Sequence, residues 1–146
     1  MNPTVFPTVS KKILLAYNRS CEPLLEKYGI HQASFDILMF LTNNPEYPTA
    51  QQISEIRHIK KKLVSVHVEK LVNVGLLQRD TVHGDRRKIA LSCTEKAQPI
   101  VEEGRKMQAE FFKKLTADID PELWKAFETI NVQIAENAEK ILKNNP

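Results

Sequence analysis

Between Arg57 and Lys88 the chain carries nine Lys or Arg against three Asp or Glu, a local net charge of +6 that leaves −3 for all the rest. Lysine and arginine in this density do not make or break bonds. They neutralise phosphates, and a clustered basic face is the electrostatic footprint of a nucleic-acid binder. A merely solvated basic face is the plain alternative, so placement decides between the two. The charges fall into two groups: Lys60, Lys61 and Lys62 are consecutive, and Arg86, Arg87 and Lys88 follow the turn signal His83-Gly84-Asp85.

Other chemistries lack their parts. General acid–base or nucleophilic catalysis needs converging side chains, and Ser65 and His67, two apart on an expected helix, point to different sides. Four glycines leave no loop to cradle a nucleotide phosphate. His31, His58, His67 and His83 form no pair at ligand spacing, and no Cys-x-x-Cys occurs. No catalytic set, metal or cofactor is therefore expected. His67 reads as a partly buried helix residue. Cys21 and Cys93 are too few and too far apart for a disulfide framework, which fits a reducing compartment. No run approaches the length of a membrane span, and Met1 to Val9 lacks the basic start and apolar core of a signal peptide. The expected location is the cytoplasm.

The elements that must hold these charges can be read from local pattern. Two short apolar-alternating runs flank His83-Gly84-Asp85, the signature of a hairpin, and Arg79, Arg86, Arg87 and Lys88 sit on or beside it. Upstream, Thr49-Ala50-Gln51-Gln52 is a capping-box pattern that opens a helix through Glu55 or Ile56. Arg57-His58-Ile59 then serves as a tight turn, and a second helix runs from Lys60 to about Val74, ending at Gly75. The alternation in Leu63-Val64-Ser65-Val66-His67-Val68 taken alone reads as a strand. Val64, Val68, Leu71 and Val72 nevertheless share one helical face, and no turn residue interrupts from Lys60 to Val74, so the helix is expected to prevail. Its opposite face carries Lys61, Lys62, Ser65, Val66 and Glu69.

The remainder reads as helix. A first segment spans about Val9 to Tyr28 and stops at Gly29, with Pro23 expected to interrupt it and bend the axis near Ser20 to Pro23. His31 to Leu41 forms another helix, and Thr94 to Leu115 a long one. Asp120 can cap the last, with Pro121 at its first position and Glu122 near the positive dipole end. Along it Leu123, Phe127, Ile130, Ile134, Ala138 and Ile141 recur at spacings of three and four, the pattern of a seam between helices. Packing onto the chain's own core is one way to cover that seam; a second copy is the other.

From about Gly29 to Gly104 the chain resembles winged helix-turn-helix regulators of the multiple-antibiotic-resistance (MarR) family. Members carry Asp-x-Arg followed five residues later by Leu-Thr, and Asp85, Arg87, Cys93 and Thr94 occupy those places. Leu71 and Gly75-Leu76-Leu77-Gln78-Arg79 are similar to the family's Leu-Glu-x-x-Gly-Leu-(Val/Ile)-x-Arg. Two departures touch packing and not the wing charges: Cys93 stands for the usual Leu, and Ala97 for the Gly that commonly follows Thr-Glu-Lys.

The resemblance implies a mainly α fold with a small β-hairpin wing, in which residues 1–146 form one protomer. Residues 31–93 would be the DNA-binding part, and residues 5–28 and 94–146 the dimerisation helices. Ile13, Leu123, Phe127, Ile130, Ile134 and Ile141 would then line a homodimer interface. The expected function is a non-enzymatic transcription regulator, a repressor, acting as a homodimer on a pseudo-palindromic operator in double-stranded DNA. Its DNA-binding residues would be Lys60, Lys61, Lys62, Ser65, Val66, Arg86, Arg87 and Lys88, with Asp85 bracing the wing. A phenolic or other amphipathic effector would release it, with Tyr17, Phe35 and Met39 as candidate liners. Two alternatives stay open: a winged interaction module that no longer binds DNA, and a thiol-based redox sensor. For the second, Cys21 lies too close to Pro23-Leu24-Leu25 to match the family's reactive thiol, and Glu22 is adjacent to it.

Overall fold

The structure, a computed structural model, describes residues 4–144 except 83; the side chain of Arg86 likewise lies outside the described residues. Six α-helices and one two-stranded antiparallel hairpin follow in the order α1 (Val5–Tyr28), α2 (Gln32–Asn43), α3 (Ala50–Arg57), α4 (Lys61–Asn73), β1 (Leu77–Val82), β2 (Asp85–Cys93), α5 (Gln98–Leu115) and α6 (Pro121–Asn144). Among the described residues no helix is long and apolar enough to cross a membrane. The chain divides into two compact units, residues 1–111 and 112–146.

Several boundaries depart from the sequence expectation for local reasons. Helix α1 starts at Val5 rather than Val9 and runs unbroken through Pro23, so the proline does not interrupt it. A lost N–H removes one hydrogen bond, which a helix of 24 residues tolerates. Gly29, at φ 61°, ends α1 in the left-handed conformation that a side chain resists. The segment Glu95–Ala97 is a short 3-10 turn and α5 begins only at Gln98, so the long helix starts four residues after Thr94. Leu63 to Val68 is helical: Val64, Val68 and Leu71 are buried there, and tertiary burial overrides the β-branched preference.

In the first unit the core gathers around α2, whose Phe35, Leu38 and Met39 are almost wholly buried, together with Ile53 of α3, the inner face of α4 and Leu77 of β1. Gly104 of α5 explains itself through this packing. A methyl group there would lie 2.6 Å from Met39 Sδ and 3.0 Å from Phe35 Cε2, so only glycine lets α5 come this close to α2. At the end of α1, Lys27 Nζ and Tyr28 Oη both donate to Glu103 Oε1, at 2.6 and 2.9 Å.

The second unit is a helical corner. Asp118 takes a positive φ of 62° between α5 and α6. Asp120 then caps α6 as its sequence suggests, its Oδ1 accepting the N–H groups of Glu122 (2.8 Å) and Leu123 (3.3 Å). Trp124 packs edge-on to Phe112 and tilted against Phe127, with ring centroids 5.3 and 5.2 Å apart, and its indole N–H donates to Glu128.

Candidate nucleic-acid interface

Helix α4 carries the first basic group. It starts from Lys60, whose side chain has no acceptor to cap the helix and makes no capping hydrogen bond, and the N–H groups of an uncapped start favour an anion. Val64, Val68 and Leu71 are sealed against the core, while Lys60, Lys61, Lys62, Ser65, Val66 and Glu69 all lie on the exposed side.

What holds α4 in place is partly polar. His67, only 5% exposed, has Nδ1 3.0 Å from Ser34 Oγ of α2, and its ring stacks on His31 with centroids 5.1 Å apart. Burial, then the nearby His31 and Lys70 charges, hold this imidazole below its usual range, so it is favoured in the neutral form. His31 in turn caps α2, its Nδ1 accepting the Ala33 N–H at 3.1 Å. The histidines that carried no ligand signal thus form a latch between α2 and α4.

The helix-turn-helix turn is closed by Ser54. Its hydroxyl donates to the Ile59 carbonyl (2.6 Å) while its own carbonyl accepts the Ile59 N–H (3.0 Å). His58 sits between them at φ 50°, a left-handed position that shapes the turn. Thr49 and Gln52 complete the expected capping box at the start of α3. The C-terminal carbonyls of α4 and the turn after it are collected from the far side of the wing: Thr94 Oγ1 donates to Gly75 O at 2.6 Å and Lys96 Nζ to Val74 O at 2.7 Å. Gly75 itself has φ 76°. This gives the Thr94 position of the motif a physical task, fixing the base of the wing to the end of α4.

The wing holds its charges by breaking its own ladder. Leu77 pairs with Cys93 and the register runs regularly to Thr81 opposite Ile89, but the next partner of Val82 is Asp85. Among the described residues nothing pairs across the strands with positions 86–88, which therefore form a bulge, and a bulge re-aims side chains such as those of Arg87 and Lys88. Asp85 supports it: its Oδ1 accepts the backbone N–H of Arg87 at 3.0 Å, so the contact seen for this residue is an Asx-type brace on its own strand. Arg87 and Lys88 are exposed. His83 and the Arg86 side chain are outside the described residues. Arg79, one of the four cations at the hairpin, is committed elsewhere, paired with Glu69 of α4 at 2.6 Å. Pro48 ties the wing back to the start of α3 through Leu91 N–H to Pro48 O, 2.7 Å. Between them opens a cavity of ≈ 410 Å³ lined by Thr49, Gln52, Glu55, Arg87, Lys88 and Ile89.

Sequence reasoning found the exposed charges and missed their supports: Ser54, Pro48, Lys96 and the His31–His67 pair. Histidine is not a favoured cap type, and a serine that closes a turn has no spacing signature.

The remaining candidates separate by burial. Tyr17 is half-buried, accepts a hydrogen bond from Gln108 Nε2 (2.8 Å) and meets Phe111 edge-on at 5.4 Å; burial pushes its phenol up to about 12. Phe35 and Met39 are core residues packed over Gly104. Cys21 is fully buried, and burial pushes its thiol up, opposite to what a reactive thiolate needs. Cys93 is half-buried and its thiol is also raised by burial, with Thr42 Oγ1 3.5 Å away. Ile13, Leu123, Phe127, Ile130, Ile134 and Ile141 are all exposed.

A helix-turn-helix with an outward basic helix face and a bulged basic hairpin defines a winged helix-turn-helix protein. Residues 28–88 match the model described as MarR family, and the resemblance read from the motifs is borne out. Solved structures agree on the fold. A transcriptional regulator described as PA3341 superposes with a TM-score of 0.82 at 21% identity, covering 92% of this chain and 98% of that one. A MarR transcriptional regulator from Methanosarcina mazei Go1 gives 0.79 at 21%, covering 97% and 94%. MepR of S. aureus, solved as a DNA complex, gives 0.76 at 15%, covering 94% and 96%. No curated protein matches the chain.

Proposed function

We propose that the protein is a cytoplasmic, DNA-binding transcription regulator of MarR type that works as a homodimer on a pseudo-palindromic operator. The observation that carries the reading is the coincidence of two outward basic groups on one winged segment: Lys60 to Lys62 at the uncapped start of α4 and Arg87 with Lys88 in the wing bulge. A helix of this class lies in the major groove with its N-terminal residues at the base edges, and the wing reaches the adjacent backbone or minor groove. In the dimer, Ile13 of α1 and the exposed stripe of α6 are covered by the second copy, setting two recognition helices about one DNA turn, roughly 34 Å, apart. Repression, and its relief by a phenolic or amphipathic ligand, belong to the same reading. Tyr17 supports that ligand site with a half-buried phenol, whereas Phe35 and Met39 must first part from Gly104 to admit anything.

The test is selection of bound duplexes from a random library, followed by titration over a range of salt. Binding should weaken steeply with salt, and Arg87→Ala should cost about 1–3 kcal/mol of affinity if it reaches a base edge, without lowering the melting temperature. Failure to enrich any duplex overturns the reading and leaves a winged interaction module.

A further inference from the structure

Resting on the reading that α4 enters the major groove, we infer that Leu63 and Val66 are the principal base readers of this protein and that each half-site presents thymine methyl groups to them. The other aliphatic side chains of α4 turn inward: Val64, Val68 and Leu71 are at most 3% exposed and Val72 is partly buried against the same core. Leu63 and Val66 break that rule at 47% and 43%. They stand three apart, so they are neighbours on the helix surface, in the N-terminal half that meets bases in this class.

The rest of that face has little else to read with. Its exposed residues from Lys61 to Lys70 are Lys61, Lys62, Ser65, Glu69 and Lys70 besides the two aliphatics. None is the Arg, Asn or Gln whose paired polar atoms grip guanine or adenine. A lysine ammonium is a point charge, suited to phosphate and weakly directional at a base. Glu69, the one carboxylate able to accept from cytosine N4, is held by Arg79 at 2.6 Å. Ser65 can bond any base edge and so discriminates little.

The occupant of the aliphatic pair follows from the charges beside it. Lys60, Lys61 and Lys62 would lose hydration without compensation against an apolar protein surface, whereas they attract a polyanion. The apolar group that a duplex displays in its major groove is the C5-methyl of thymine. Leu63 was absent from the sequence-based set because its i, i+3 pairing with Val66 is hidden inside an apparently alternating run.

The experiment replaces thymine by uracil, which removes the methyl and keeps the base pair, at each half-site position of a selected duplex in turn. The full-length protein should lose roughly four-fold in affinity at one or two thymines per half-site, the worth of one buried methyl. In Leu63→Ala/Val66→Ala, whose changes are at exposed sites and should leave the melting curve in place, thymine and uracil duplexes should bind alike. Equal binding of both duplexes by the unaltered protein overturns the inference while DNA binding stands. A thymine preference that survives in the double variant moves the readout to other residues and also overturns it. Loss of self-association in the double variant, with the thymine preference intact, assigns the pair to a protein contact instead. Binding of no duplex at all sinks the functional reading together with the inference.

Discussion

Helices α4 and α6 are both amphipathic, and the chain treats them in opposite ways. Helix α4, 13 residues long, buries Val64, His67, Val68 and Leu71. Helix α6, 24 residues long and with the longer apolar stripe, buries none of its residues; Leu123 is 67% exposed and Ile130 51%. Periodicity therefore locates an apolar face but does not say what covers it. For α4 the cover is in the chain. For α6 the proposed cover is a second copy, since an apolar stripe along more than five turns is larger than a monomer ordinarily leaves in water. A two-fold interface, in which the same stripe serves both copies, is the commonest way to close such a surface.

The largest effect expected from breaking this contrast is on assembly. Ile130→Asp with Ile134→Asp puts two charges into the α6 stripe. Light scattering at micromolar concentration should then report a mass near one chain instead of two, with helix content retained. Operator affinity should fall on the order of a hundredfold or more, because the second half-site no longer adds to the first. A dimer that persists in this variant would take α6 out of the interface and leave its stripe needing another cover.

The second effect belongs to α4 and divides its two sides. Leu71→Ala should destabilise the fold by about 2–5 kcal/mol through the cavity it leaves. Lys62→Ala should leave denaturant stability unchanged while lowering DNA affinity and the steepness of its salt dependence. The reverse pattern would mean that the helix faces the other way.

How far the sequence could be read follows the same division. Local signals that concern a single turn were legible: the Thr49–Gln52 capping box, Asp120 before Pro121, and the glycines closing α1 and following α4 all stand where spacing put them. Faces were legible too, since Lys61, Lys62, Ser65, Val66 and Glu69 are outward together. Pairings across the fold were not. Nothing in the spacing links Thr94 to Gly75, Pro48 to Leu91 or Ser34 to His67, because each joins residues 19 or more apart whose types are common in any loop or helix. The wing shows both limits in one element. The hairpin is visible from alternation around Gly84, but the register break that frees Arg87 and Lys88 is set by cross-strand geometry. Arg79, counted with the wing charges, is instead spent on Glu69.

The smallest effect sharpens what lies beneath α4, where a titratable group sits in a face that is otherwise aliphatic. Burial and the His31 and Lys70 charges hold His67 below its unperturbed 6.5, so the folded protein takes up this proton at a lower pH than the unfolded chain does. Its contribution to stability is complete above about 6.5 and declines as pH falls from there towards the lowered folded value. Asp36, raised from 3.8 by burial, acts the other way on acidification, which is why a single melting curve would not isolate His67. The difference between the protein and His67→Gln does. Glutamine retains a hydrogen-bonding group for Ser34 but carries no proton to titrate. Melting temperature should therefore drop further between about pH 7.5 and about pH 5.5 in the unaltered protein than in the variant, even though the variant, lacking the ring stacked on His31, starts lower. Parallel declines would show that proton uptake at His67 is the same in the folded and unfolded chain, so that the ring serves α4 through its stacking on His31 and its bond to Ser34 and not as a titrating group.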